Sequence, residues 1–197
     1  MCGLTWDGTQ LWHSDQDAET IYAVDPRTGA ISRQFPCPHV RADLAFDGTY
    51  LLQVGDRPKQ LVLIEPTTGE VVGSRPVPPA SGRLTGTELG PEGIWMVLRG
   101  PTVVQLREYP TMEVTREFPA AGESPSGLTY AAGVVVYGDF DDGVLRAIDP
   151  ASGEHLGQLA VPGRPTGVTW DGRLLWYCDF PARSFRAVSL SSVLAGR

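Results

Sequence analysis

Gly3-Leu4-Thr5-Trp6-Asp7-Gly8 opens the chain, and Gly167-Val168-Thr169-Trp170-Asp171-Gly172 repeats it almost letter for letter near the other end. Between them stand Asp43-Leu44-Ala45-Phe46-Asp47-Gly48 and Gly127-Leu128-Thr129-Tyr130, with a degenerate copy at Gly86-Thr87-Glu88-Leu89. Each copy alternates, so Leu4 and Trp6 fall on one side of a pleat and Thr5 on the other, the pattern of a short strand. Asp-Gly then supplies the positive φ that a tight hairpin needs. The glycines closing this turn, Gly8, Gly48, Gly93, Gly133 and Gly172, are 40, 45, 40 and 39 residues apart. Short strands and turn signals at a period of about 40 residues specify a propeller or a similar array.

The rest of each unit follows one plan. A second, continuously apolar strand (Leu11-Trp12, Tyr50-Leu51-Leu52, Ile94 to Leu98, Val134 to Tyr137, Leu174 to Tyr177) suits burial on both faces. A third strand ends in Asp25-Pro26-Arg27-Thr28-Gly29, Glu65-Pro66-Thr67-Thr68-Gly69 or Asp149-Pro150-Ala151-Ser152-Gly153, where Pro fixes φ early in the turn and Gly allows a positive φ at its end. A more polar fourth strand ends at proline in Phe35-Pro36, Arg75-Pro76, Phe118-Pro119 and Val161-Pro162, as befits an outer edge. After Val188 the fifth unit has neither this turn nor room for a full fourth strand. The expected fold is therefore an all-β, five-bladed β-propeller of four-stranded antiparallel blades. The last blade has three strands or a poor fourth, and the ring is sealed by side-chain packing of unit 5 on unit 1. The units run over about 3–40, 41–82, 83–122, 123–162 and 163–197, forming one domain.

The 197 residues carry a net charge of −7, which argues against nucleic acid or an anionic membrane surface as partner, since both require clustered cations. Lys59 is the only lysine. Three cysteines, Cys2, Cys37 and Cys178, form no CxxC pair and disfavour a secreted disulfide scaffold. With no basic-then-apolar leader and no membrane-length apolar run, a soluble cytoplasmic protein is expected.

The Pro165-Thr166-Gly167-Val168-Thr169 and Pro125-Ser126-Gly127-Leu128-Thr129 runs, with Phe35-Pro36-Cys37-Pro38, resemble the NHL, YVTN and virginiamycin B lyase-like propeller repeats. The Gly-Leu-Thr…Asp-Gly…Leu-Trp run followed by Asp-Pro-x-Thr-Gly is also similar to the five-bladed glutamine cyclotransferases. The resemblance spans nearly the whole chain and concerns the fold, which hosts many unrelated activities. The acidic residue that cyclotransferases place before the first Gly-Leu is Cys2 here. The histidine and glutamate metal set of the lyases has no counterpart among His13, His39 and His155.

The resemblance implies that each blade's first strand lines a central channel. It also implies that the loops leading into the first strands and those following the second strands open on one face. That mouth would gather His39, Arg41, Asp43, Arg83, Glu123, Ser124 and Arg164 from the first set. The second set would bring Asp15, Asp56, Arg57, Arg99, Asp139, Asp141, Asp142, Cys178 and Asp179. Arginines suit bidentate capture of a carboxylate or phosphate, and a neighbouring carboxylate suits proton transfer. Asp15, Asp56, Asp139 and Asp179 recur at one position, and a residue repeated around the ring is more often a turn or blade-spacing device than a catalyst. Departures from the repeat are sharper signals. Asp43 replaces the glycine of its sisters, and Glu88 replaces their Thr or Ala. The candidate acid–base residues are therefore Asp43, Glu88 and His39. The candidate ligand-binding residues are Arg41, Arg83, Arg164, Asp139, Asp179, His13 and Tyr177. No cofactor or metal is expected; a divalent or soft metal on Cys2, Cys178, Cys37 and His39 is the alternative. The favoured function is binding of a small anionic or polar-aromatic molecule at the mouth. The alternatives are a lyase or cyclase built on that mouth, and a protein-interaction scaffold.

Overall fold

The computed structural model describes residues 3–55, 58–78 and 82–196. Blade 1 comprises β1 (Gly3–Trp6), β2 (Leu11–Asp15), β3 (Thr20–Val24) and β4 (Ile31–Pro36). Blade 2 comprises β5 (Leu44–Phe46), β6 (Leu51–Gly55), β7 (Gln60–Ile64) and β8 (Val71–Pro76). Blade 3 comprises β9 (Arg83–Gly90), β10 (Gly93–Arg99), β11 (Val103–Arg107) and β12 (Val114–Pro119). Blade 4 comprises β13 (Pro125–Ala131), β14 (Val134–Asp139), β15 (Val144–Ile148) and β16 (His155–Ala160). Blade 5 has only β17 (Pro165–Trp170), β18 (Leu175–Asp179) and β19 (Ser184–Val188). Within every blade the strands lie antiparallel in chain order, giving four sheets of four strands and one of three. The ring is a five-bladed β-propeller, as the repeat predicts. No helix among the described residues is long and apolar enough to cross a membrane.

The recurring Asp-Gly turn has two functions. Asp7 Oδ1 accepts the amides of Thr9 and Gln10 at 2.7 and 2.8 Å, closing the turn, while Oδ2 accepts the Trp12 indole N–H at 2.7 Å. Asp171 does the same for Arg173, Leu174 and Trp176. Partial burial opposes ionisation of Asp7, but the indole, amide and hydroxyl donors outweigh it and hold the carboxyl below its usual range. Unit 3 has Gly90-Pro91-Glu92-Gly93 in place of this turn, and the Trp95 indole N–H is left buried without a partner among the described residues.

The glycine that begins the repeat is set by the width of the ring. A Cβ on Gly3 would lie 2.4 Å from the Leu44 amide nitrogen, and one on Gly167 would lie 2.5 Å from that of Leu4. Gly86 and Gly127 face backbone of the next blade as closely. With five blades the inner strands crowd the axis, and four of the five leave no room for a side chain.

The ring closes where β17 packs on β1. An apolar cluster of Leu4, Leu11, Val24 and Cys178, flanked by Trp6, Tyr22, Trp176 and Phe185, fills the seam between blades 5 and 1. The tail does not form a fourth strand. It turns at Ser189, whose hydroxyl accepts the Ser192 amide, into a short helix α1 (Leu190–Ala195). The helix packs on β16 of blade 4, burying Val193, and Gly196 carbonyl accepts the Gln158 amide at 2.7 Å. Gly157 permits this, since a Cβ there would lie 2.5 Å from the Val193 carbonyl oxygen.

Candidate functional site at the channel mouth

Two groups of charged residues occupy the axis, at different depths. The deeper group is the carboxyl pair Asp43 and Glu88. Asp43 stands at the position where the other inner strands have glycine. Its Oδ1 accepts the Leu4 amide at 3.2 Å from blade 1, and its Oδ2 accepts those of Thr87 at 3.1 Å and Leu128 at 3.2 Å from blades 3 and 4. The Leu44 amide of its own blade is a further donor. Blade 4 is not a neighbour of blade 2, so this carboxylate sits at the centre of the ring. Glu88, on β9, likewise reaches across: Oε2 accepts the hydroxyls of Thr5 in blade 1 and Thr169 in blade 5, each at 3.3 Å, and Oε1 accepts the Leu89 amide. Both side chains are buried, Asp43 at 1% and Glu88 at 8% exposure.

Burial raises both carboxyls, and the charge of Asp43 adds to the rise at Glu88, which reaches about 8. Four backbone amides pull against the rise at Asp43. With its carboxyl raised to about 8, Glu88 keeps its proton at neutral pH.

The shallower group is cationic. Arg41 precedes β5, Arg83 begins β9, Arg99 ends β10, and these three line one open hollow of about 230 Å³ together with Ser126, Phe140 and Phe180. An adjoining hollow of about 270 Å³ shares Gln16, Arg41 and Arg83 with it and adds Lys59. Arg164, in the loop leading into β17, stacks its guanidinium 5.1 Å from the Phe140 ring centre. Phe140 and Phe180 meet edge to face at 5.6 Å. Asp141 approaches Arg164 at 3.2 Å and Arg99 at 3.9 Å and accepts the Ser124 hydroxyl. These are half-exposed pairs and hold the arginines weakly. Arg41 and Arg83 form no ion pair among the described residues. Arg41 donates to its neighbouring carbonyl of Val40 at 2.6 Å.

The structure thus brings together Arg41, Arg83 and Arg164 of the sequence-derived set, and sets Asp43 and Glu88 beneath them. The other candidates lie elsewhere. Asp139 is fully buried, accepting the Asp142 and Ser124 amides at 3.1 and 3.4 Å. Asp179 is buried against the Arg186 Nε donor at 2.7 Å and the Ala182 amide. The Tyr177 hydroxyl donates to the Pro162 carbonyl at 3.0 Å, as that of Tyr137 does to Ala121. His13 is buried in the blade 5–1 seam, between Tyr22 and Phe185, with Nδ1 3.0 Å from the Gly3 carbonyl and 3.7 Å from Cys178 Sγ. Burial lowers its pKa to about 4, against the opposing pull of that carbonyl, so it is neutral at physiological pH. His39 packs its backbone over Gly55. Cys2, Asp56 and Arg57 lie outside the described residues. Among the described residues no three His, Cys, Asp or Glu side chains gather to hold a metal, and Cys37 and Cys178 are buried.

Gln16, Phe140 and Phe180 were not singled out from the sequence. Each immediately follows the recurring aspartate of its unit, in Asp15-Gln16, Asp139-Phe140 and Asp179-Phe180. The aspartate accepts amides of its own loop, and the next residue lines the hollow. Reading the repeat one position further would have found them.

No protein-family model and no curated protein matches the chain. Solved structures do. A glutaminyl cyclase from Myxococcus xanthus superposes with a TM-score of 0.72 at 14% identity, over 89% of this chain and 84% of that one. A chain of a nidogen/laminin complex gives 0.69 at 16% identity, over 96% and 76%. A streptogramin B lyase gives 0.58 at 15% identity, over 97% and 66%. These likenesses establish the fold. Two of the three are enzymes of the kinds the repeat resembles, and the third is a protein complex. At this level of identity the activity of none of them transfers.

Proposed function

We propose that this propeller binds a small anionic molecule at the channel mouth, with Arg41 and Arg83 as its anchors and Phe140 and Phe180 flanking its less polar part. The observation that supports this reading is the convergence of Arg41, Arg83 and Arg99 on one open hollow, with Arg164 stacked on its Phe140, in a chain of net charge −7. Two of the four have no carboxylate partner among the described residues. Guanidinium groups held in this way suit bidentate contact with a carboxylate or phosphate. Hollows of 230 and 270 Å³ fit a small molecule and not a polymer. The candidate proton-transfer carboxyls Asp43 and Glu88, both committed to backbone amides or threonine hydroxyls, line neither hollow. This favours binding over a lyase or cyclase reaction.

Calorimetric titration with phenyl phosphate and inorganic phosphate tests the reading. Both should bind the wild type, phenyl phosphate more tightly, with affinity falling as salt rises. The Arg41→Ala/Arg83→Ala variant should lose at least tenfold. Unchanged affinity in that variant, or no binding to the wild type, would overturn the proposal.

A further inference from the structure

Unit 3 breaks the repeat at a third place, remote from Asp43 and Glu88. The last residue of the third strand is Val24, Ile64, Ile148 and Val188 in four blades, paired in register with Leu11, Leu51, Val135 and Leu175. In blade 3 that residue, opposite Ile94, is Arg107. A cation has replaced a core aliphatic, and it is 2% exposed.

Among the described residues no counter-charge is in direct contact with it. Nε and Nη2 donate to the neutral Gln105 Oε1 at 3.0 and 2.7 Å, and Nη1 donates to the carbonyls of Met112 at 3.2 Å and Pro78 at 3.5 Å. A guanidinium has five N–H donors, and the second on Nη2 has no acceptor among the described residues. Glu117 is reached only through Gln105 Nε2, which donates to it at 2.5 Å. Burial lowers the affinity of Arg107 for its proton, and the charge of Glu117 opposes that. A buried charge without an ion-pair partner is costly, and a sequence that keeps one in place of valine or isoleucine retains it at the expense of stability.

Arg107 forms part of the lining of a cavity of about 290 Å³ at the seam of blades 2 and 3. The remaining lining is mostly apolar: Leu84, Met96 and Leu98 from the inner strands of blade 3, and Val77 from the connection between the blades. Lys59 stands at its edge, and among the described residues no carboxylate lines it. We infer that this cavity is a binding site for a small amphipathic monocarboxylate, whose hydrocarbon part lies against Leu84, Met96 and Leu98 and whose carboxylate pairs with Arg107. A mostly apolar pocket with a buried guanidinium in its wall sets both the ligand's chemistry and its orientation. The site meets the arginine hollows at Lys59 but includes neither Arg41 nor Arg83, and it does not depend on what binds there.

Octanoate and its uncharged counterpart octanol are the probes, titrated calorimetrically into the full chain. Octanoate should bind the wild type at least tenfold more tightly than octanol. Arg107→Met should abolish that preference while octanol still binds. Val77→Trp, which places an indole in the cavity while leaving residue 107 an arginine, should abolish binding of both, so the inference stays testable if Arg107→Met fails to fold. The Arg41→Ala/Arg83→Ala variant should bind octanoate as the wild type does. Equal affinity for octanoate and octanol, octanoate binding that survives Val77→Trp, or octanoate binding lost with the mouth arginines would each overturn the inference.

Discussion

The carboxyl pair on the axis and the arginine ring above it are both clusters of charge on inner strands and their loops, yet they differ in what they already hold. Asp43 receives amides from blades 1, 2, 3 and 4, and Glu88 joins blades 1, 3 and 5. Between them these two side chains touch every blade. Arg41 and Arg83 are held by no ion pair among the described residues. A break in a repeat can therefore serve the fold or a ligand, and counting each group's satisfied partners separates the two. Carboxyl groups already met by backbone amides and threonine hydroxyls join the blades, and guanidiniums with no ion pair among the described residues remain available.

The largest effect should come from Asp43→Ala. It leaves four amide donors buried without an acceptor, each costing about 1–3 kcal/mol. A loss of about 5 kcal/mol or more, read from denaturant unfolding, would consume much of the roughly 5–15 kcal/mol that stabilises an ordinary domain. A loss under about 1 kcal/mol would show that Asp43 is not the ring's centre.

Glu88→Gln comes next and carries a pH signature. The Glu88 carboxyl has a usual value of 4.5 and rises to about 8 in the folded chain. Between these values the folded state holds a proton that the unfolded state has released, so wild-type stability falls as pH rises. The contribution is fully present below 4.5 and is lost as pH passes 8. The neutral amide of the variant has no proton to lose, so Glu88→Gln should match the wild type near pH 4.5. It should exceed the wild type by about 4–5 kcal/mol above pH 8, since each pH unit between the two values is worth about 1.4 kcal/mol. Parallel unfolding curves at pH 5, 7 and 9 check this, and a gap that does not widen with pH would refute it.

Changes at the mouth should leave stability alone and move affinity. Arg41→Ala/Arg83→Ala should shift unfolding by less than about 0.5 kcal/mol, as surface substitutions do, while phosphate affinity drops at least tenfold. The smallest effect belongs to Asp141→Ala. By releasing Arg99 and Arg164 from weak pairs, it should strengthen phosphate binding by roughly twofold to fivefold, measurable in the same titration.

The fold was legible because period, turn chemistry and strand alternation all repeat. Asp43 and Glu88 stood out as departures from that pattern, but their partners did not, because backbone amides from other blades converge only after the ring closes. The glycine at Gly3 and Gly167 read as a motif letter, and its cause, the crowding of five inner strands, is visible only in three dimensions. Arg107 escaped notice because a third strand ending in arginine looks ordinary until its register is set against Val24, Ile64 and Ile148. Helix α1 spans six residues, too few for a 3.6-residue period to emerge, and it is held by packing on blade 4.

The division between a structural axis and a binding mouth is tested most directly by titrating phenyl phosphate into Glu88→Gln and into Arg41→Ala/Arg83→Ala at pH 7. Glu88→Gln should bind as the wild type does, and the arginine variant should lose at least tenfold. Lost binding in Glu88→Gln with binding retained in the arginine variant would overturn that division and make the buried carboxyl part of the ligand site.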